Sequence, residues 1–335
     1  MAIYALDDAD DALDATREFL APIDPTVWAK LALVMVFVGG FGAGIPSLQF
    51  TPNTGTPGEF PGTTLPTLGP NSWAVVAVVV ALVVLVGLAF ALVRAVMEFV
   101  LVESLRTETV TLGRYWSGRW RQGVRLFGFR LVLGVLVLVV VLLLLAPVLV
   151  SPSVTAEPRG LSLALFLTLV PLFAVVVAVV GLVNGFTTVF VVPIMVLEDC
   201  GVLAGWRRLW SSVVDAWKQY LAYAVAGFVL GLLAGVVSMV VTLAVAFVLL
   251  VPFGVLFALG VGLYFLVPSL GVAALVVVGV VFALALLVVF AVVQVPIQTY
   301  LRYYALFVLG DVEPDFDLIA DLRARVRAPE SNGVA

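Results

Sequence analysis

The chain has no histidine, one cysteine (Cys200) and two lysines (Lys30 and Lys218), and only 11% of its 335 residues are charged. Without histidine it lacks the side chain most often used for acid–base catalysis and metal ligation. One cysteine rules out an intramolecular disulfide and a cysteine-rich metal cluster, so Cys200 is read as a small buried or interfacial residue and not as a reactive thiol. Also missing are a phosphate-binding glycine loop with its lysine, an H-E-x-x-H helix and a Gly-x-Ser-x-Gly elbow. These gaps argue against an enzyme, and no catalytic residue, cofactor or metal ligand is expected.

What is abundant is oil. Hydrophobic residues make up 63% of the chain, against about 45–50% in soluble domains, and they come in long runs almost free of charge. That pattern predicts an all-α, multi-pass membrane protein. Acidic residues outnumber basic ones by 21 to 17, and the basic ones are nearly all arginine. Such an acidic, lysine-poor surface suits concentrated salt and points to a halophilic archaeon as source. Asp7, Asp8, Asp10, Asp11 and Asp14 open the chain where a signal peptide would place basic residues, so no cleavable signal is expected there.

A hydrocarbon core about 30 Å thick needs about 20 apolar helical residues. Six stretches meet this, at roughly 27–46, 73–97, 126–150, 161–192, 219–250 and 271–304. The first begins with Asp24 as N-cap and Pro25 at the first helical position. Trp28 and Trp73 mark span starts at the membrane interface. Arginine gathers between Arg94 and Arg130, at Arg207 and Arg208, and from Arg302 to Arg327, whereas the alternate loops hold only Arg159. The positive-inside rule then places both termini in the cytoplasm of a cell-membrane protein. Residues 251–270, with Pro252, Gly254, Gly260, Gly262 and Pro268, are read as a re-entrant or interfacial segment because they are short and rich in helix breakers. The organisation expected is an acidic cytoplasmic segment over 1–26, a six-span domain over 27–308 and an amphipathic cytoplasmic tail over 309–335. The Pro-, Gly- and Thr-rich stretch from Pro46 to Pro70 reads as an irregular outward loop.

Three segments mix apolar, aromatic and basic residues as helices lying on a membrane surface do: Glu103–Arg125, Leu197–Lys218 and Leu309–Val326. Each follows an even-numbered span and opens on an acidic turn at Glu103, at Glu198 and Asp199, or at Asp311. Either a two-span unit used three times or shared topology alone accounts for this.

The opening Ala2-Ile3-Tyr4-Ala5-Leu6-Asp7-Asp8-Ala9, the segment Gly205-Trp206-Arg207-Arg208-Leu209-Trp210 and the closing Tyr300-Leu301-Arg302-Tyr303-Tyr304-Ala305-Leu306 resemble uncharacterised haloarchaeal multi-pass membrane proteins. More distantly, the plan is similar to the six-span membrane domain fused to some bacterial glycerophosphodiester phosphodiesterases. The resemblance implies a fold and a membrane setting. It does not extend to the phosphodiesterase domain, whose chemistry needs histidine.

Gly227, Gly231 and Gly235 form a small-residue stripe on the fifth span, with Gly40 and Gly44 on the first as a partner stripe, for packing within the monomer or across a dimer. Arg94 and Glu98, one turn apart, are a structural ion pair or a substrate or proton site. Gln294, Gln298 and Arg302 recur every fourth residue, a stripe for interhelical hydrogen bonds and an interfacial anchor, or for a path or lipid headgroup. Asn184 is a lone polar group expected to bond a neighbouring helix. The function expected is a non-enzymatic membrane component that meets lipids, or membrane or cytoplasmic protein partners, but not nucleic acid; the alternative is a small-molecule permease or carrier.

Overall fold

A computed structural model describes residues 4–21, 23–39, 70–150 and 159–328, with backbone alone for 4–7, 70–72, 144–150, 159–168 and 170. In order, the elements are α1 (Tyr4–Leu20), α2 (Pro25–Val38), α3 (Pro70–Thr107), α4 (Leu112–Val150), α5 (Arg159–Phe186), a π-helical turn (Thr187–Val191), α6 (Val192–Glu198), α7 (Val202–Asp215), α8 (Trp217–Leu266), α9 (Pro268–Val312), a 3-10 turn (Pro314–Phe316) and α10 (Ala320–Arg327). The described residues include no strand. Valine-rich runs would favour strands in water, but in hydrocarbon each N–H and C=O must find its partner within the segment, which leaves only the helix or a closed barrel.

Among the described residues five helices are long and apolar enough to cross a membrane: Trp73–Thr107, Leu112–Leu143, Pro171–Glu198, Trp217–Leu266 and Pro268–Val312. In the most apolar window of α3 and of α8 no residue is buried. Val78, Leu85, Val132, Phe228 and Phe247 are each more than 60% exposed. Covering one such side chain is worth about 1.5–3 kcal/mol, so faces of this extent belong to a membrane protein.

The start expected for the first span is there: Asp24 accepts hydrogen bonds from the Thr26 N–H and hydroxyl, both at 2.8 Å, and Pro25 opens α2. Hydrogen bonding to Thr26 also holds the Asp24 carboxyl below its usual range. α2 has 14 residues and closes at Gly39. Residues 40–69, with Gly40, Gly44 and the expected outward loop, lie outside the described residues.

Residues 251–270 differ from expectation. They are not broken into a separate element: Val251–Leu266 continue α8 and Pro268 begins α9 after Val267. Pro252 lies inside the 50-residue α8 without ending it. The turn falls where Pro268 disfavours a helical backbone at the residue before it. Cβ atoms on Gly254 or Gly262 would meet nothing described within 4 Å, whereas Gly260 and the neighbouring Gly271 are close-packing points. A Cβ on Gly260 would sit 2.8 Å from Leu275 Cδ2, and one on Gly271 would overlap the Tyr264 backbone. At 1.5 Å per residue α8 is about 75 Å long, more than twice the hydrocarbon thickness.

The amphipathic segment expected over Glu103–Arg125 is likewise not a helix of its own. It comprises the end of α3, a turn with Glu108 at φ 52°, and the first turns of the continuous α4. α7 and α10 are separate helices. Asp199, at φ 50°, ends α6 as Glu108 follows α3, each a left-handed residue at a helix exit, whereas Glu103 lies within α3 and Asp311 within α9.

The chain forms two compact units. One comprises Met1–Pro22, Ala95–Gly227 and Thr299–Ala335; the other comprises Ile23–Arg94 and Phe228–Gln298. In the first, α4 packs on α5 and α7, α7 packs on α6 and the π-helical turn, and α1 packs on α10. Its core holds Phe99, Leu101, Leu105, Leu126, Phe190, Ile194, Met195, Tyr303, Tyr304 and Phe307. In the second, α8 and α9 run antiparallel, with Phe253 and Phe257 against Phe282 at ring distances of 5.0 and 6.2 Å, and Phe37 meets Phe90 at 5.0 Å.

Candidate polar site at a π-helical turn

The site begins with a backbone problem that Pro193 creates. A proline inside a helix has no N–H to give, and its ring crowds the carbonyl four residues back. The chain widens there to the five-residue π-helical turn Thr187–Val191, where the Val192 N–H bonds the Thr187 carbonyl, five residues back. Continued by one residue, the same pattern would need an N–H from Pro193 for the Thr188 carbonyl. Arg302 supplies it instead, with its Nη1 donating to Thr188 O at 2.6 Å.

Arg130 from α4 reaches the same turn. Its Nη1 and Nη2 donate to Glu98 Oε1 and Oε2 at 2.8 and 2.7 Å, a two-pronged ion pair. Its Nε donates to Asn184 Oδ1 at 3.0 Å and its Nη2 to Thr188 Oγ1 at 2.5 Å. The Thr188 hydroxyl donates to the Asn184 backbone carbonyl at 2.9 Å, and the Trp206 indole donates to Thr187 Oγ1 at 3.0 Å. Glu98 is 1% exposed. A charge buried this far is expensive unless paired and hydrogen-bonded, and here the fork of Arg130 answers both carboxylate oxygens.

Beside this centre α4 and α5 leave a groove of about 340 Å³ lined by Arg130, Leu133, Gly134, Val137, Val177, Val180, Gly181 and Asn184. Polar residues occupy one end and aliphatic ones the rest. Cβ atoms on Gly134 or Gly181 would meet nothing within 4 Å, so both glycines leave open space.

A second polar cluster joins the two termini. Arg327 donates to Asp8 Oδ1 at 2.8 Å, Asp11 Oδ2 at 2.6 Å and Asp311 Oδ2 at 2.8 Å, and Arg323 bonds Asp311 at 2.6 Å. Asp8 is fully buried. Burial first, then hydrogen bonding and repulsion from Asp311, push its carboxyl up to about 7 against the lowering pull of Arg327. Cys200, half-buried, has its thiol pushed up by burial and by Glu198.

The structure thus brings Glu98, Asn184 and Arg302 together around Arg130 and Thr188. Arg94 is half-buried on α3 one turn before Glu98. Gln294 bonds Ser238 across the α8–α9 hairpin at 3.3 Å, and Gln298 bonds Gln294 at 3.4 Å. Among the described residues, Cβ atoms on Gly231 or Gly235 would meet nothing within 4 Å, and one on Gly227 only Tyr223 of its own helix. Sequence reasoning counted Arg130 among the arginines of a loop and passed over Thr188, Ser238 and the Asp8–Arg327 link. Two threonines five and six residues before Pro193 were a legible signal for Thr188 alone. Gly123, another close approach, would place a Cβ 2.9 Å from the Val96 Cα.

Neither a curated protein nor a solved structure matches the chain. A family model does match, over residues 3–319. The chain belongs to a family of unknown function, DUF7544.

Proposed function

We propose that the protein is a non-enzymatic integral component of the cell membrane, meeting lipids along its long helices and headgroups or partner proteins through α7. The observation that carries this reading is the exposure of the apolar faces of α3 and α8, where the most apolar windows bury no residue. α7 adds Trp210 and Val214, both exposed, beside Arg207 and Arg208, the composition of a helix at a bilayer surface. Arginine placement puts both termini on the cytoplasmic side, and the acidic, lysine-poor composition fits a cell living in concentrated salt.

A carrier is the second reading, favoured by the buried ion pair at a π-helical turn, since intramembrane charges and π-bulges are frequent at functional sites. Against it, the groups of that centre already answer one another, with Glu98 held by Arg130 and the Thr188 carbonyl by Arg302.

The test is extraction of host membranes with alkaline carbonate. The protein should stay in the pellet and leave only with detergent; release by carbonate would refute an integral component. Cys200 should react with a membrane-impermeant maleimide in inverted vesicles, and labelling in intact cells would overturn the orientation. Uptake of a solute by reconstituted vesicles, absent with empty ones, would decide for the carrier.

A further inference from the structure

We propose that the groove between α4 and α5 seats one membrane phospholipid, an acyl chain against Leu133, Val137, Val177 and Val180 and the phosphate ester against Arg130 and Asn184. This rests on the reading of the chain as an integral membrane component and gives that component a defined lipid site.

The shape comes first. A volume of about 340 Å³ falls in the range of sites for small molecules, about 300–1,000 Å³. Its polar end is shared by both helices, since Arg130 on α4 and Asn184 on α5 stand together. From there the aliphatic wall runs to Val137, about 10 Å along α4 at 1.5 Å per residue. A headgroup-plus-chain molecule has this same division. Gly134 and Gly181 make the room, and among the described residues nothing lies within 4 Å of where their Cβ atoms would be.

The chemistry of the polar end selects the head. The Asn184 carbonyl oxygen must face Arg130 Nε, because only an acceptor can stand there. Its amide NH₂ is therefore left to donate. Arg130 directs four of its five N–H groups to Asn184, Glu98 and Thr188, and the fifth, on Nη1, is a further donor. An end that offers N–H donors from Arg130 and Asn184 suits phosphate and ester oxygens and disfavours an ammonium or a hydroxyl that must donate.

The full chain is reconstituted in vesicles of dioleoyl phosphatidylglycerol, or of phosphatidylcholine carrying dioleoylglycerol, re-extracted in detergent and weighed by native mass spectrometry. One phosphatidylglycerol should remain per chain, with no retained dioleoylglycerol, which has the chains but no phosphate. Gly134→Leu and Gly181→Leu, on different helices and each pointing into open space, should lower the retained fraction at least tenfold without moving the melting midpoint. Equal retention by both filled variants, equal retention of dioleoylglycerol, or a lipid-free native chain would each overturn the site. A lipid-free dimer would assign the groove to a second copy and overturn it too. All these results presuppose a protein that stays in the carbonate pellet, so failure here is distinct from failure of the parent reading.

Discussion

The two compact units solve burial by opposite means. In the unit of Ala95–Gly227 and the two termini, charged and amide groups are buried or nearly so and then answered: Glu98 by Arg130, the Gln122 amide by the Met195 carbonyl and the exposed Asp199 carboxylate, Asp311 by Arg323 and Arg327. In the unit of Ile23–Arg94 and Phe228–Gln298 the hairpin is held by glycine contacts, phenylalanine pairs and one thin polar link, Gln294 to Ser238. Hydrogen bonds are directional and fail when one member is lost, whereas packing in an apolar solvent is graded and depends on close approach. The first unit should therefore respond sharply to loss of a charge, the second to added volume.

The largest expected effect is at the ion pair. Glu98→Leu or Arg130→Leu alone strands a buried charge and should cost about 3–5 kcal/mol, while the double replacement should recover most of it. Thermal melting of detergent-solubilised singles and double checks this, and additive losses would break the contrast. Next is added volume in the hairpin. Gly271→Leu should cost at least about 1–3 kcal/mol by overpacking against Tyr264, whereas Gly231→Leu on the same hairpin should leave the monomer's melting unchanged. Equal effects at the two glycines would mean that the Gly227-Gly231-Gly235 stripe packs against something further. Removing the Ser238 hydroxyl should matter less: Ser238→Ala is expected to cost about 0.6 kcal/mol, the average for such bonds in membranes, read by the same melting.

The smallest effect is a slope. With the folded Asp8 carboxyl raised to about 7 from an ordinary 3.8, the folded chain holds more protons than the unfolded one between those values. Stability from this group is fully present below about 4 and declines as pH rises through about 7. Asp8→Asn keeps an oxygen for Arg327 and cannot ionise, so it should flatten the decline between pH 5 and 8. An unchanged slope in melting against pH would show that Asp8 does not titrate there.

How much of this was legible varies with the kind of residue. The Asp24-Pro25 start of α2 and the apolar runs of α3, α4, α8 and α9 could be read directly, because a cap and a run depend on neighbours in the chain. Gln294 was recognised as an interhelical bonding residue, but its partner Ser238 was not, since a serine in a span is too common to stand out. Spacing pointed Glu98 towards Arg94, one turn away, but could not show its two-pronged partner Arg130, 32 residues on. The helix break expected over residues 251–270 is confined to Val267, because that expectation took proline and glycine as they act in water. In an apolar surrounding an opened backbone costs more than the missing N–H of Pro252, so the helix continues.

By itself the sequence determined that the chain is helical and belongs in a membrane, since both follow from apolar runs whose peptide groups must bond within the segment. Only the tertiary structure decided which distant charges meet: that Pro193 opens a π-helical turn, that Arg302 and Arg130 converge on it, and that Gly134 and Gly181 leave a groove beside it. Those outcomes depend on helices brought together in space, where a single buried charge accepts whichever partner completes its hydrogen bonds.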